Sequence, residues 1–277
     1  MKNILIPTDF SDCAREAEEL GLEFAKKANA EIHFLHLLHT PVDWVKLPLE
    51  KEDLYPEVKK RIGTAKSKLS QLKRDAEKMG LKAQTFLVYD KGHEEIDFHI
   101  KHHKHDFIIM GSFGAKGIKE VLGTNTQRVV RYSSAPVLVV KKKPQNFEVK
   151  NIVFASTFEE EVQKPFQKVV DFAQFMGAKI HLLNVNVPFN FKETDEIETK
   201  MQSFLKNSTK EPYTTNIYNA LNEERGILKF AETMKADVIA MTTHGKTGFM
   251  KMISPSITES MVNHSEVLVL SVNINSK

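Results

Sequence analysis

Short apolar runs alternate with longer stretches of helical periodicity along the chain. In the N-terminal half, apolar runs predict five buried strands, at 4–7, 32–38, 84–89, 107–110 and 137–140. The stretches between them have the apolar spacing and end signals of helices, at 11–25, 53–79, 93–103 and 118–132. Parallel strands need a crossover between them, so this alternation predicts an α/β fold with an open, doubly wound sheet and helices on both faces.

The chain repeats itself once. Three segments return in the same order: 2–10 as 150–158, 30–37 as 178–185, and 106–111 as 237–242. The repeat predicts two tandem domains, 1–143 and 148–277, each an open five-stranded parallel sheet. The last strand of each domain is expected at a sheet edge, where pairing with the other would cover it.

The charge and the cysteine content narrow the class of protein. The net charge of +3, from 39 basic and 36 acidic residues, argues against a nucleic-acid binder. No segment approaches the roughly 20 apolar residues that span a bilayer, and the N-terminal apolar run is too short for a signal peptide. Because Cys13 is the single cysteine, no internal disulfide is available. We expect a cytoplasmic protein without a membrane segment.

Two loops carry the chemistry of a ligand site. In doubly wound sheets, ligands bind beyond the carboxyl ends of the strands. The first loop is Pro7-Thr8-Asp9, where a carboxylate can accept hydrogen bonds from a base amine or a ribose hydroxyl. The alternative is that Asp9 and Ser11 only cap the following helix.

The second loop follows the fourth strand, from Met110 and Gly111 to Asn125. Glycines let backbone amides approach a phosphate closely. A helix that begins at Thr124 adds unpaired N–H groups and the positive end of a helix dipole. The alternative is a tight turn in which the glycines serve packing only.

Together these loops resemble those of the universal stress protein family, in its tandem-domain form. The resemblance is carried by the opening run 4–11 and the closing run 106–140, and it covers nearly all of both halves. The nucleotide-binding members of that family carry Gly-x2-Gly-x9-Gly-Ser/Thr after the fourth strand. Gly111, Gly114, Gly123 and Thr124 fit this motif, but the interval between Gly114 and Gly123 is one residue short.

The resemblance implies roles for individual residues. Pro7, Thr8 and Asp9 would line the adenine and ribose, Leu37 would contact the adenine, and Met110 would pack near the sugar. The phosphates would be held by Gly111, Ser112, Gly114, Gly123, Thr124 and Asn125.

The implied function is non-enzymatic binding of ATP or another adenine nucleotide, in a stress response that works through a change of conformation or partner. Mg²⁺ is compatible with such a ligand. The resemblance also implies an internal pseudo-dimer of the two domains, and a homodimer of chains is compatible with it. The alternatives are a scaffold that binds no nucleotide and a slow ATP hydrolase. The hydrolase ranks last, because Asp9 is the only carboxylate expected in the site.

The second half departs from the motif at three positions. Thr157 replaces Asp9, Thr242 replaces Gly111, and Pro255 replaces the third glycine. Proline has no N–H to offer a phosphate. We therefore predict that the second half has lost the site and supplies a pairing surface for the first.

Two further segments stand outside these loops. His99 and His103 are four residues apart and share a helical face, which would suit a metal ion. No cysteine or convincing carboxylate set accompanies them, so a solvated polar face is the favoured interpretation. Residues 40–55, which include Trp44, form either a lid over the site or a poorly ordered connection.

Overall fold

The computed structural model describes residues 1–90, 95–112, 123–206, 213–243 and 255–274. The strands in these ranges are β1 (Asn3–Pro7), β2 (Glu31–His39), β3 (Ala83–Asp90), β4 (Phe107–Gly111), β5 (Val137–Val140), β6 (Asn151–Ala155), β7 (Lys179–Asn186), β8 (Tyr213–Asn219), β9 (Val238–Thr243) and β10 (Leu268–Asn273). They form one sheet in the order β3-β2-β1-β4-β5-β10-β9-β6-β7-β8.

The helices in the same ranges are α1 (Asp12–Ala28), α2 (Pro56–Lys78), α3 (Glu95–His102), α4 (Thr124–Tyr132), α5 (Gln163–Met176), α6 (Thr194–Lys206), α7 (Glu223–Thr233) and α8 (Pro255–His264). The helix predicted over 118–132 begins only at Thr124, because Gly123 has the extended ψ of 137° of an N-cap. Residues 118–122 lie outside the described ranges. Within those ranges, none of the helices combines the length and apolar character that crossing a membrane requires.

Each half of the sheet has the same topology. The parallel strands follow the order β3-β2-β1-β4-β5 in the first half and the equivalent order β8-β7-β6-β9-β10 in the second. The halves meet where β5 and β10 pair antiparallel, with Val139 opposite Val269. The tandem α/β fold and the pairing of the fifth strands are therefore confirmed. Because the junction is antiparallel, the carboxyl ends of the two sets of parallel strands lie at opposite edges of the sheet.

Alternate residues of each strand enter two different cores. Ile4, Ile6 and Phe34 lie on the face covered by α1, α2, α5 and α6. Leu5 and Leu35 lie on the face covered by α3, α4, α7 and α8. This arrangement confirms a sheet with helices on both faces, and each core runs across both halves.

Local capping defines the helix that follows β1. The Ser11 hydroxyl accepts a hydrogen bond from the Ala14 amide (3.1 Å), as expected of an N-cap. Asn29 ends α1 in the left-handed region, with φ of 49°. The helix therefore starts immediately beyond the candidate Thr8–Asp9 loop, and its first turn is held in place by that loop.

The segment 40–55 is neither featureless nor a detached lid. It contains 3-10 turns at Trp44–Lys46 and Leu49–Leu54. Trp44 is buried against Leu38, Val58 and Ile62. An aromatic anchor therefore fixes this connection to the end of β2 and to α2.

Candidate functional site

The Thr8–Asp9 turn at the end of β1 is held by several hydrogen bonds. The Thr8 amide donates to the Leu35 carbonyl (2.8 Å), and the Thr8 hydroxyl accepts from the Phe10 amide (2.9 Å). Asp9 accepts from the Ser11 amide (3.0 Å). Phe10 adopts the left-handed region, with φ of 61°. The capping role of Ser11 is thus present, and one Asp9 oxygen stabilises the turn itself.

A buried carboxyl group lies beneath this turn. Glu18 of α1 is buried and accepts a hydrogen bond from the Thr8 hydroxyl (2.5 Å). Burial raises its pKa, while the Thr8 hydrogen bond and the Arg15 charge act in the opposite direction. Glu18 was not predicted from the sequence, although it stands four residues after Ala14 on the buried stripe of the helix.

His36 joins the turn from β2. Its Nδ1 donates to the Thr8 carbonyl (2.8 Å), because a carbonyl can only accept, and its ring lies 4.5 Å from that of Phe10. Burial lowers the pKa of His36, which the Thr8 carbonyl and the Asp9 charge oppose. The charges of Arg61 and Lys68 on α2 lower it further. His36 is therefore neutral at pH 7, with Nε2 as the acceptor of the ring.

The predicted adenine and sugar contacts lie on two sides of β1. Pro7 is the last residue of that strand. Leu37 and Met110 belong to the opposite face of the sheet from Phe34, in the core covered by α3 and α4. Met110 is buried, whereas Leu37 is only partly covered. Leu37 is thus the more accessible of these two apolar side chains.

Gly111 and Ser112 pack against the start of α1. A Cβ at Gly111 would lie 2.8 Å from the Cys13 carbonyl oxygen, so a side chain has no room there. The Ser112 amide donates to the Val140 carbonyl (3.1 Å), and its buried hydroxyl lies 3.6 Å from the Cys13 thiol. Both residues therefore have a packing role in addition to any contact with a ligand.

The helix start predicted for the phosphate side is present. The Gly123 amide donates to the Ser112 carbonyl (3.2 Å), which ties the beginning of α4 to the end of β4. The Thr126 hydroxyl donates to the Gly111 carbonyl (2.9 Å) and adds a second tie. Asn125 is exposed in the first turn, where helix geometry leaves backbone amides without intrahelical partners. Gly114 lies outside the described residues.

The second half has the same turn after its first strand, but the ends of its last two strands contact α4 of the first half. The Ser156 hydroxyl accepts from the Phe158 amide (3.0 Å), and Phe158 has φ of 59°. Thr243 and Ser271 donate to the Val130 carbonyl, each at 3.3 Å, and Asn273 donates to the Arg131 carbonyl (2.8 Å). The second half therefore binds the last carbonyls of α4, which a helix leaves unpaired.

A groove of about 680 Å³ lies at the carboxyl ends of β7 and β8. It is lined by Asn186, Pro188, Phe191, Asn219, Ala220 and Leu221. In the first half the equivalent space is covered by the Trp44 segment. The connection after β7 is shorter, so the groove stays open and Phe191 and Leu221 are exposed. This groove was not predicted from the sequence.

The histidines around α3 do not share a solvated face, although His102 is exposed. His99 and His105 are buried, and they cluster with His33 of β2 and with His103. The prediction was wrong because it placed these rings by helical spacing alone, without the strand that packs beneath them. Within the described part of the chain, no group of three His, Cys, Asp or Glu side chains is placed to hold a metal ion.

Comparison with known proteins settles the family. The model of the universal stress protein family matches residues 1–141 and again 148–273. The chain belongs to the universal stress protein family. Its two family domains correspond to the two halves of the sheet, which confirms the resemblance and the tandem organisation.

Individual relatives match one domain or the whole chain. Two universal stress proteins of Methanocaldococcus jannaschii, MJ0531 and MJ0577, are 34% and 32% identical to about half of this chain, over 82% and 96% of their own lengths. A universal stress protein structure from Archaeoglobus fulgidus covers 99% of this chain and 98% of its own, with 19% identity and a TM-score of 0.72. This last likeness is one of fold.

Proposed function

We propose that the first domain binds an adenine nucleotide, with ATP as the leading candidate, and that the protein acts without catalysing a reaction. The observation that carries this proposal is the Thr8–Asp9 turn. Hydrogen bonds from β2 and from α1 fix it at the carboxyl end of β1. Asp9 is partly exposed beside the neutral His36, so a carboxylate acceptor and an imidazole acceptor stand together. Base amines and ribose hydroxyls are the donors that such a pair would select.

The phosphate side of the proposed site is the start of α4. The amides of its first turn, from Thr124 to Thr126, are donors that suit an anion. Ser112 has its amide and hydroxyl directed into the protein, and the Gly123 amide donates to the Ser112 carbonyl, so we assign the predicted contacts of both residues to packing. Thr124 and Asn125 remain as the phosphate residues. Mg²⁺ would reach this site through the phosphates of the ligand.

We propose that α4 carries the signal of binding to the second domain. Its N-terminal end faces the proposed phosphate position, and its C-terminal carbonyls are held by Thr243, Ser271 and Asn273. A shift at one end of such a short helix must alter contacts at the other. With the domain bounds at 143 and 148, α4 belongs to the first domain and the side chains that bind its carbonyls belong to the second. The internal pseudo-dimer is then the unit that responds.

A pair of equivalent positions tests nucleotide binding. ATP, ADP and AMP are titrated by calorimetry into the wild type, Asp9→Ala and Thr157→Ala. We expect Asp9→Ala to weaken binding at least about tenfold, because hydrogen bonds to a charged group contribute about 1.5–3 kcal/mol. Thr157→Ala, at the same place in the second domain, is expected to bind like the wild type.

Three results would contradict the proposal. Negligible heat with every nucleotide would leave the scaffold as the function. Equal losses in both variants would mean that the two domains are not different in the way we propose. Steady release of phosphate that disappears in Asp9→Ala would favour the hydrolase.

A further inference from the structure

Four histidines form a cluster at the edge of the first domain opposite the proposed nucleotide site. His33 lies near the start of β2 and His99 in the last turn of α3. His103 directly follows that helix, and His105 precedes β4. Neighbouring ring centroids are 4.3 Å apart for His99 and His103 and 4.9 Å apart for His33 and His105. The cluster therefore connects the last turn of α3 to the edge of the sheet.

Hydrogen-bond chemistry determines which ring nitrogens carry hydrogen. The Glu31 carboxylate can only accept, so His33 donates to it from Nε2 (3.1 Å). Nδ1 of His33 is then the acceptor for Nε2 of His105, 2.9 Å away. Nδ1 of His105 is left as a buried nitrogen without a partner, and Nε2 of His99 is another. A proton added to Nδ1 of His105 or to Nε2 of His99 would create a buried N–H group with no hydrogen-bond partner.

The second domain shows that the fold does not need these rings. His181, the equivalent of His33, is satisfied by Thr214 (2.8 Å) and Asn151 (3.2 Å). The positions of His99, His103 and His105 are occupied there by Phe230, Met234 and Ala236. These three apolar residues pack in the core of the second domain. A buried polar cluster with two unpartnered nitrogens is thus specific to the first domain.

The charges around the cluster offer little compensation for added protons. Glu31 of β2 is hydrogen bonded to His33 and also accepts from Gln84 of β3 (2.5 Å). Lys82, just before β3, and the exposed His102 of α3 are cationic or titratable neighbours. Asp106 is occupied by the amides of Lys2 and Asn3. Among the described side chains, Glu31 is therefore the carboxylate that contacts the cluster.

We propose that the four-histidine cluster is an acid-operated latch: while His99 and His105 are neutral it holds the end of α3 against β2, and protonation of these two rings releases it. Burial holds the pKa of His99 at about 4 and that of His105 at about 3, and the neighbouring histidines add to the effect, while the Ile100 backbone carbonyl opposes it at His105. The open state has ordinary histidines with a pKa of about 6.5, so it binds more protons below that pH. Because α3 packs on α4, the latch connects acidity to the helix that leads into the second domain.

Hydrogen exchange on the full chain tests the latch. Exchange in peptides covering 95–105 is compared between about pH 7 and about pH 5, after correction for intrinsic rates. We expect the opening equilibrium to rise about 20-fold for each of His99 and His105 that is released. Peptides covering 223–236, the equivalent segment of the second domain, serve as the internal control and should not respond.

Variants that install the residues of the second domain remove the titrating groups. We expect the combination of His99→Phe, His103→Met and His105→Ala to abolish the pH response, and exposed His102→Gln to keep it. An unchanged response in the triple variant would overturn the proposal. If that variant fails to fold, the ring proton resonances of the wild type decide. Midpoints for His99 and His105 near the ordinary value of about 6.5 would equally overturn the latch.

Discussion

Gly111→Ala tests whether the glycine after β4 is required by packing or by a ligand. The added Cβ would lie 2.8 Å from the carbonyl oxygen and 2.9 Å from the carbonyl carbon of Cys13. Both atoms belong to the backbone of α1, so the helix must move by several tenths of an ångström. Overpacking of this kind costs about 1–3 kcal/mol of unfolding free energy. Gly63→Ala in α2 is the matched control, because its Cβ meets nothing within 4 Å.

The two substitutions should have opposite signs. Gly63→Ala should stabilise the protein by about 0.5–1 kcal/mol, because alanine is the better helix former. Gly111→Ala should lower the urea midpoint and the Tm without any nucleotide present. Calorimetry with ATP then shows what the same change does to binding. If Gly111→Ala leaves the midpoint unchanged and removes binding, the packing argument is refuted and the glycine is there for the ligand.

Three further predictions follow from local geometry. Asn125→Asp should weaken ATP binding, because a negative charge in the first turn of α4 repels phosphate, and it should leave the Tm unchanged or higher, because the same charge favours the helix. Equal ATP affinity in the variant and the wild type would contradict the assigned phosphate position. The unfolding free energy should fall as the pH drops below about 6.5, by about 2 kcal/mol at about pH 5 for each of His99 and His105, because the unfolded chain then binds more protons. An unfolding free energy, measured with guanidinium, that does not change over this pH range would contradict this. Trp44→Ala should lower the unfolding free energy by about 3–5 kcal/mol and open the segment 40–55 to proteolysis, whereas Val45→Ala, at an exposed position, should do neither. Resistance to cleavage in both variants would show that Trp44 is not the anchor.

The fold was largely predictable because its signals are local and repeated. Apolar runs bounded by turn residues identified the strands, and the internal repeat identified the domains. The pairing of β5 with β10 followed from the need to cover an apolar edge. For α4 the sequence offered two starts, one at 118 from apolar spacing and one at Thr124 from the loop motif, and the extended backbone at Gly123 shows that the helix begins at Thr124.

The site was less predictable because its chemistry depends on contacts between distant segments. Asp9 and the start of α4 could be found from the sequence. Glu18 and His36 could not be assigned, since their roles depend on Thr8, which approaches them only in the folded sheet. The prediction for the histidines was wrong for the same reason, because residue spacing along α3 gives no information about His33 on β2.

The central claim is that one of two homologous domains retains a nucleotide site. The number of ATP molecules bound per chain tests it most directly, by native mass spectrometry at increasing ATP concentration. We expect saturation at one nucleotide per chain, with that nucleotide lost in Asp9→Ala and kept in Thr157→Ala. Two nucleotides per chain, or none at any concentration, would contradict the account.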